Sequence, residues 1–262
     1  FRPPGTFSFT NGTHLFFGLV ASYLFYFWLD QASINRLLLI GATIALLIAI
    51  PFSISRSLFF HSLLAMGFAV IASFQKPRLL FYMITSFVIG AVIISFLSNY
   101  AFFETALNAF YARFESANDA EGGMQGVIGD RYLGGMIGAL TNSADRPYFG
   151  YGIGMGTNVG SMLLTGDRTF LIAEEEWARV IGELGPLLGI SFIFIRVALS
   201  IKMTIAAIKK LILHDVLPWM LLSFGLLTIP QGQWAQPTSL GFSILIGGLI
   251  LASLKKEESQ IV

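Results

Sequence analysis

The sequence predicts an all-α protein, a polytopic transmembrane helical bundle with one long extracytoplasmic loop. Three observations predict it. The 262 residues are 55% hydrophobic and only 12% charged, and the mean hydropathy is +0.73; a soluble domain carries about a quarter charged residues. Apolar runs of about 16 to 19 residues recur between short polar turns, close to what a helix needs to cross the hydrocarbon core of a bilayer with little tilt. One interval, 98–173, breaks that rhythm with arginines, glycines and acids.

The chain begins with Phe1, and Pro3, Pro4, Gly5, Asn11 and Gly12 make residues 2–12 a polar, turn-rich stretch. That is not a signal peptide, so 1–262 reads as a single membrane domain, the C-terminal part of a longer protein or a trimmed form of it. Spans are predicted at 13–29, 37–52, 57–74 and 79–97. The loop insertion, 98–173, follows. Phe103, Leu107, Phe110, Tyr111 and Phe114 give its first part, 102–116, the spacing of an interfacial amphipathic helix. A second short helix is predicted at 131–140. Gly150, Gly152, Gly154, Gly156 and Gly160 mark a turn region beyond it. A helix from Glu174 to about Lys202 re-enters the membrane, 205–215 forms a basic amphipathic connector, and 216–229 and 238–254 complete about seven spans.

Alternating those spans places Arg36, Lys76, Arg78, Lys202, Lys209, Lys210, Lys255 and Lys256 on one side. The positive-inside rule makes that side cytoplasmic. Arg2, Arg56, Arg131, Arg146, Arg168 and the run Glu174-Glu175-Glu176 then share the opposite side, with no lysine among them. Arginine grips phosphate at two points and keeps its charge, so this asymmetry suits a diphosphate. The alternative is local pairing or headgroup contact: Asp130, Asp145 and Asp167 directly precede Arg131, Arg146 and Arg168. Arg56 has no acid nearby in sequence.

The carboxylates also carry two readings. Glu176, Arg179 and Glu183 share a helix face at spacings of three and four, and Glu175 meets Arg179 at four, which describes a salt-bridged helix entrance. Glu183 lies in an apolar run, where a charge is costly and usually functional, and a carboxylate at the membrane face can act as general base. The GYGIGMG segment is no dinucleotide fingerprint, since no βαβ unit surrounds it; its amides could form an anion-binding nest, or its glycines simply let the chain turn tightly. Cysteine is absent, the net charge is +1, and His14, His61 and His214 lack metal-ligand spacing. Neither nucleic acid, metal nor cofactor is expected.

The order of motifs is distinctive. RPPGTF is followed by Asn-Gly, a span ending in Ser55-Arg56, an external Asp130-Arg131, then Pro147 with GYGIGMG, and a helix reading EEEWARVIGELGPLLG. This order resembles the O-antigen ligase and O-antigen polymerase family of bacterial polytopic membrane proteins. The resemblance implies a metal-independent glycosyltransferase of the GT-C type in the inner membrane. It would take glycan from an undecaprenyl-diphosphate carrier at the periplasmic face and pass it to a sugar hydroxyl in surface polysaccharide or lipopolysaccharide assembly. By the same resemblance Arg56 and Arg131 hold the diphosphate, with Arg2 and Arg179 as further binding candidates. The ligases carry a His-Asn pair shortly before their Glu-x-Gly. Glu174 and Glu175 occupy that place here, which points to a polymerase-like or diverged member with Glu175 as base, and Glu174 and Glu183 as further catalytic candidates.

Two other classes remain open at this level. A transporter of a small anion would line its path with the arginines and show discontinuous helices or inverted repeats. A non-catalytic component of polysaccharide assembly would scatter them around the rim.

Overall fold

A computed structural model describes residues 5–7, 10–30, 34–74, 85, 88–90, 92–93, 95–121, 134–167, 171–173 and 175–255. Among these residues the regular structure is helical throughout: α1 Thr10–Leu29, α2 Arg36–Phe52, α3 Arg56–Ser73, α4 Ala101–Glu121, α5 Gly135–Thr141 with a 3-10 turn Asn142–Asp145, α6 Asn158–Thr165, α7 Glu176–Ile212, α8 Leu217–Gln231 and α9 Pro237–Lys255. Four of them, α1, α3, α7 and α9, are long and apolar enough to cross a membrane. Helices α2 and α8 are apolar but shorter, at 17 and 15 residues. Most of the predicted span 79–97 lies outside the described residues.

The boundaries follow local chemistry. Asn35 caps α2 by accepting from the Leu37 amide at 2.9 Å, and Ser55 caps α3 by accepting from Leu58 at 3.3 Å; each satisfies a donor orphaned at a helix start. The predicted connector 205–215 is instead mostly the continuation of α7, which runs to Ile212. No glycine or proline interrupts the stretch after Lys202, and Lys209 and Lys210 fall in the last turn, where positive charge complements the helix dipole.

The chain falls into two compact units: Phe1–Glu115 with Met203–Leu226 and Leu245–Val262, and Ser116–Lys202 with Leu227–Ile244. In the first, α1 packs on α3 and α2. Its interior uses small side chains: Ala21, Ala65 and Ala69 are buried, which lets helix backbones approach closely where lipid offers no hydrophobic drive. Ser22 and Ser223 hydrogen bond at 2.9 Å, and Trp219 Nε1 donates to Phe68 O at 2.8 Å. Phe59, Phe110 and Phe114 make edge contacts between α3 and α4. The predicted amphipathic helix thus buries Phe103 and Phe110 and leaves Tyr111 exposed.

In the second unit, Ala139, Val180, Ile181 and Ile193 form a small core flanked by Trp177, Leu184 and Phe192. Its main feature is a break. Gly185 adopts φ +80 inside α7 and separates 176–184 from 186–212. Pro186 then begins the second segment, a position proline tolerates because its missing N–H has no intrahelical partner to lose.

Candidate functional site

The break in α7 frees carbonyl groups that an unbroken helix would bond internally. The glycine loop supplies the donors. Tyr151 N bonds Gly182 O at 2.8 Å, and Gly152 N bonds Glu183 O at 3.1 Å. This approach requires glycine at two positions. A Cβ on Gly150 (φ +70) would collide with the Glu183 carbonyl, and one on Gly185 (φ +80) with the Tyr148 carbonyl, so each backbone occupies the space a side chain would need on the other.

Beneath the loop lies a buried ion cluster. Arg179 grips Glu176 at two points, Nε to Oε2 and Nη2 to Oε1, each at 3.0 Å. Its Nη1 bonds Glu183 Oε2. The other Glu183 oxygen accepts from Gly156 N at 2.9 Å. Glu176 Oε1 also receives Arg196 Nη1 at 2.9 Å and Trp234 N at 3.2 Å. Arg196 spends its remaining donors on Ile229 O at 2.9 Å and Gly232 O at 2.8 Å, while Trp177 Nε1 donates to Pro230 O at 3.0 Å. Those carbonyls end α8, where a cation meets the negative end of the helix dipole. The Arg196 guanidinium also stacks 3.9 Å from the Trp234 ring centre.

Two glutamates and two arginines neutralise one another in this cluster, and each charge has hydrogen-bonded partners. That is the condition under which buried charges persist in an apolar surrounding. Glu183 and Arg179 therefore anchor the loop to the helix. The local-pairing reading of Glu176, Arg179 and Glu183 is what the structure displays. Of the two readings of the glycine loop, tight turning is what the bonds at Gly182 and Glu183 display, and the Gly156 amide holds the chain's own Glu183 carboxylate. Sequence reasoning missed Arg196 and Trp234. The signal for Arg196 was present, since it stands alone in the apolar run GISFIFIRVALS, where a charge demands a partner.

Glu175 stands apart from the cluster. It is exposed at the head of α7 and forms no ion pair among the described residues. The point where a Cβ would stand on Gly135 is 3.4 Å from Glu175 Cγ, so this acid lies against the start of α5. In the first unit, Arg56 is the first residue of α3 and half-buried. Arg2, Arg131 and Glu174 lie outside the described residues. The first unit also holds a cavity of about 270 Å³ lined by Trp28, Leu47, Phe59, Met66 and Phe110, among others, with no charged side chain among the described residues.

High hydropathy and four helices long and apolar enough to cross a membrane mark a helical membrane protein. No family model, curated protein or solved structure matches the chain.

Proposed function

We propose that the chain is a membrane glycosyltransferase-like protein, built on a GT-C-like bundle of about seven spans. It transfers or polymerises glycan from an undecaprenyl-diphosphate carrier at the periplasmic face of a bacterial inner membrane. The observation that carries this reading is the division among the acids. Glu176 and Glu183 are consumed by arginines, while Glu175 keeps an exposed carboxylate beside α5, whose first residue follows Arg131 by four positions. A base needs such an accessible carboxylate within reach of its substrate.

In this mechanism the acceptor hydroxyl oxygen attacks the anomeric carbon, and the bond from that carbon to the diphosphate oxygen breaks. The hydroxyl proton passes to Glu175, with Glu174 beside it in sequence. Arg56, Arg131 and Arg2 take up the charge gained by the departing diphosphate. Arg179 and Glu183 hold the glycine loop in place.

The test uses Arg56→Ala, Arg131→Ala and Glu175→Gln, each read by gel analysis of surface polysaccharide. Loss or shortening of polymer is expected in all three. Unchanged polymer length and amount in both arginine variants rejects the assignment.

The break at Gly185 favours a second reading, because discontinuous helices line ion sites in transporters. Against it, the freed carbonyls of Gly182 and Glu183 are already bonded by loop amides. Anion uptake into vesicles by the chain alone, without glycan transfer, would decide for the transporter.

A further inference from the structure

The segment 147–166, PYFGYGIGMGTNVGSMLLTG, contains no Asp, Glu, Lys, Arg or His. Its apolar side chains face outward: Phe149 is 79% exposed, Ile153 85% and Leu163 81%. Helix α6 is the inverse of a helix on a soluble protein. Ser161 is fully buried and donates to Asp167 O at 2.6 Å, while Val159, Met162 and Leu163 lie exposed at spacings of three and four. In water such a face is expensive and marks an interaction surface.

The strap to α7 indicates what covers it. The segment is bonded at Gly182 and Glu183, directly before α7 begins to expose Leu187, Leu188, Phe194 and Ile195. Those residues are the outward apolar face of a helix long enough to cross a membrane, so the segment adjoins the first apolar turn that α7 exposes. Tyr148 and Tyr151, also exposed, are side chains that settle at headgroup depth. Charge returns only at the flanks, Arg146 and Asp167.

We propose that 147–166 is a membrane-inserted segment, with α6 and the tip of the glycine loop lying in the interfacial layer of the bilayer instead of standing in water. The lipid acyl boundary is its partner. This inference is independent of the glycan-transfer reading.

The chain has no cysteine, so Leu163→Cys and Ile153→Cys each create a single labelling site at an exposed position. The full chain is placed in phosphatidylethanolamine–phosphatidylglycerol vesicles with a polarity-sensitive fluorophore on the thiol. Phe194→Cys serves as the lipid-facing reference. The expected result is blue-shifted emission at 163 and 153, quenched several-fold more by lipids spin-labelled high on the acyl chain than by aqueous iodide. Quenching by iodide with none by lipid at both sites overturns the proposal. So does shielding from both quenchers, which would show a protein partner, or protection that appears only when soluble glycan is added.

Discussion

Glu176 and Arg196, twenty positions apart, pair at 2.9 Å with both side chains only 2% exposed. The pair ties the head of α7 to its own second segment, and through Ile229 O and Gly232 O to the end of α8. Removing one member leaves the buried cluster with one uncompensated charge. Arg196→Met is expected to cost about 3–5 kcal/mol, read as a lower melting temperature in detergent. Arg196→Lys is expected to recover little, because an ammonium cannot hold three acceptors in one plane while stacking on Trp234. A melting temperature equal to the parent's in Arg196→Met would remove this pair from the stability account.

Glu183→Ala releases the Gly156 amide and one side of Arg179. Amide hydrogen exchange should accelerate at Tyr151, Gly152 and Gly156, with little change in the buried stretch Leu221 to Phe224 of α8. The local effect follows because the loop is held by few bonds, all to one side of the break. Unaltered protection across 150–156 would mean that the carboxylate does not hold the loop.

Gly185→Ala introduces a Cβ at positive φ and against the Tyr148 carbonyl. The backbone strain alone is of order 1–3 kcal/mol, and the collision adds to it. Gly241→Ala in α9 is the matched comparison, since nothing lies within 4 Å of its Cβ position; there alanine should be neutral or slightly stabilising. Equal melting temperatures for the two variants would contradict the break at Gly185.

Glu175 and Glu176 are adjacent but opposite in setting, one exposed and one buried. Under the glycan-transfer proposal, Glu175→Gln lowers transfer by about 10²–10⁴-fold, the usual contribution of a general base, and leaves the melting temperature unchanged. Glu176→Gln lowers the melting temperature first and activity only as a consequence. Full transfer in Glu175→Gln would exclude it as the base while leaving the ion cluster untouched.

The boundary between what was legible and what was not runs through this cluster. Glu176, Arg179 and Glu183 were readable as one face because their spacing matches the helical period. Arg196 was not paired with them, since its partner lies across a helix break and no periodicity specifies that geometry. The glycine run announced a tight turn, but only the close approach of Gly150 and Gly185 shows which backbone it turns against. The inverted face of α6 was equally hidden: 98–173 read as a polar interval, and the outward direction of Leu163 and Ile153 emerges only from packing.

By itself, then, the sequence determined the class: a helical chain of high hydropathy, with basic residues at its short turns, most of its acids between 104 and 183, and glycines where the backbone must bend. Those properties depend on composition and on neighbours within one helical turn, which the chain order specifies directly. Tertiary structure alone decided that Glu183 clasps Gly156, that Arg196 closes the cluster from beyond the break, and that Glu175 stays exposed and forms no ion pair among the described residues. Each of these depends on where separate segments meet in space, and that is set by packing across many residues at once.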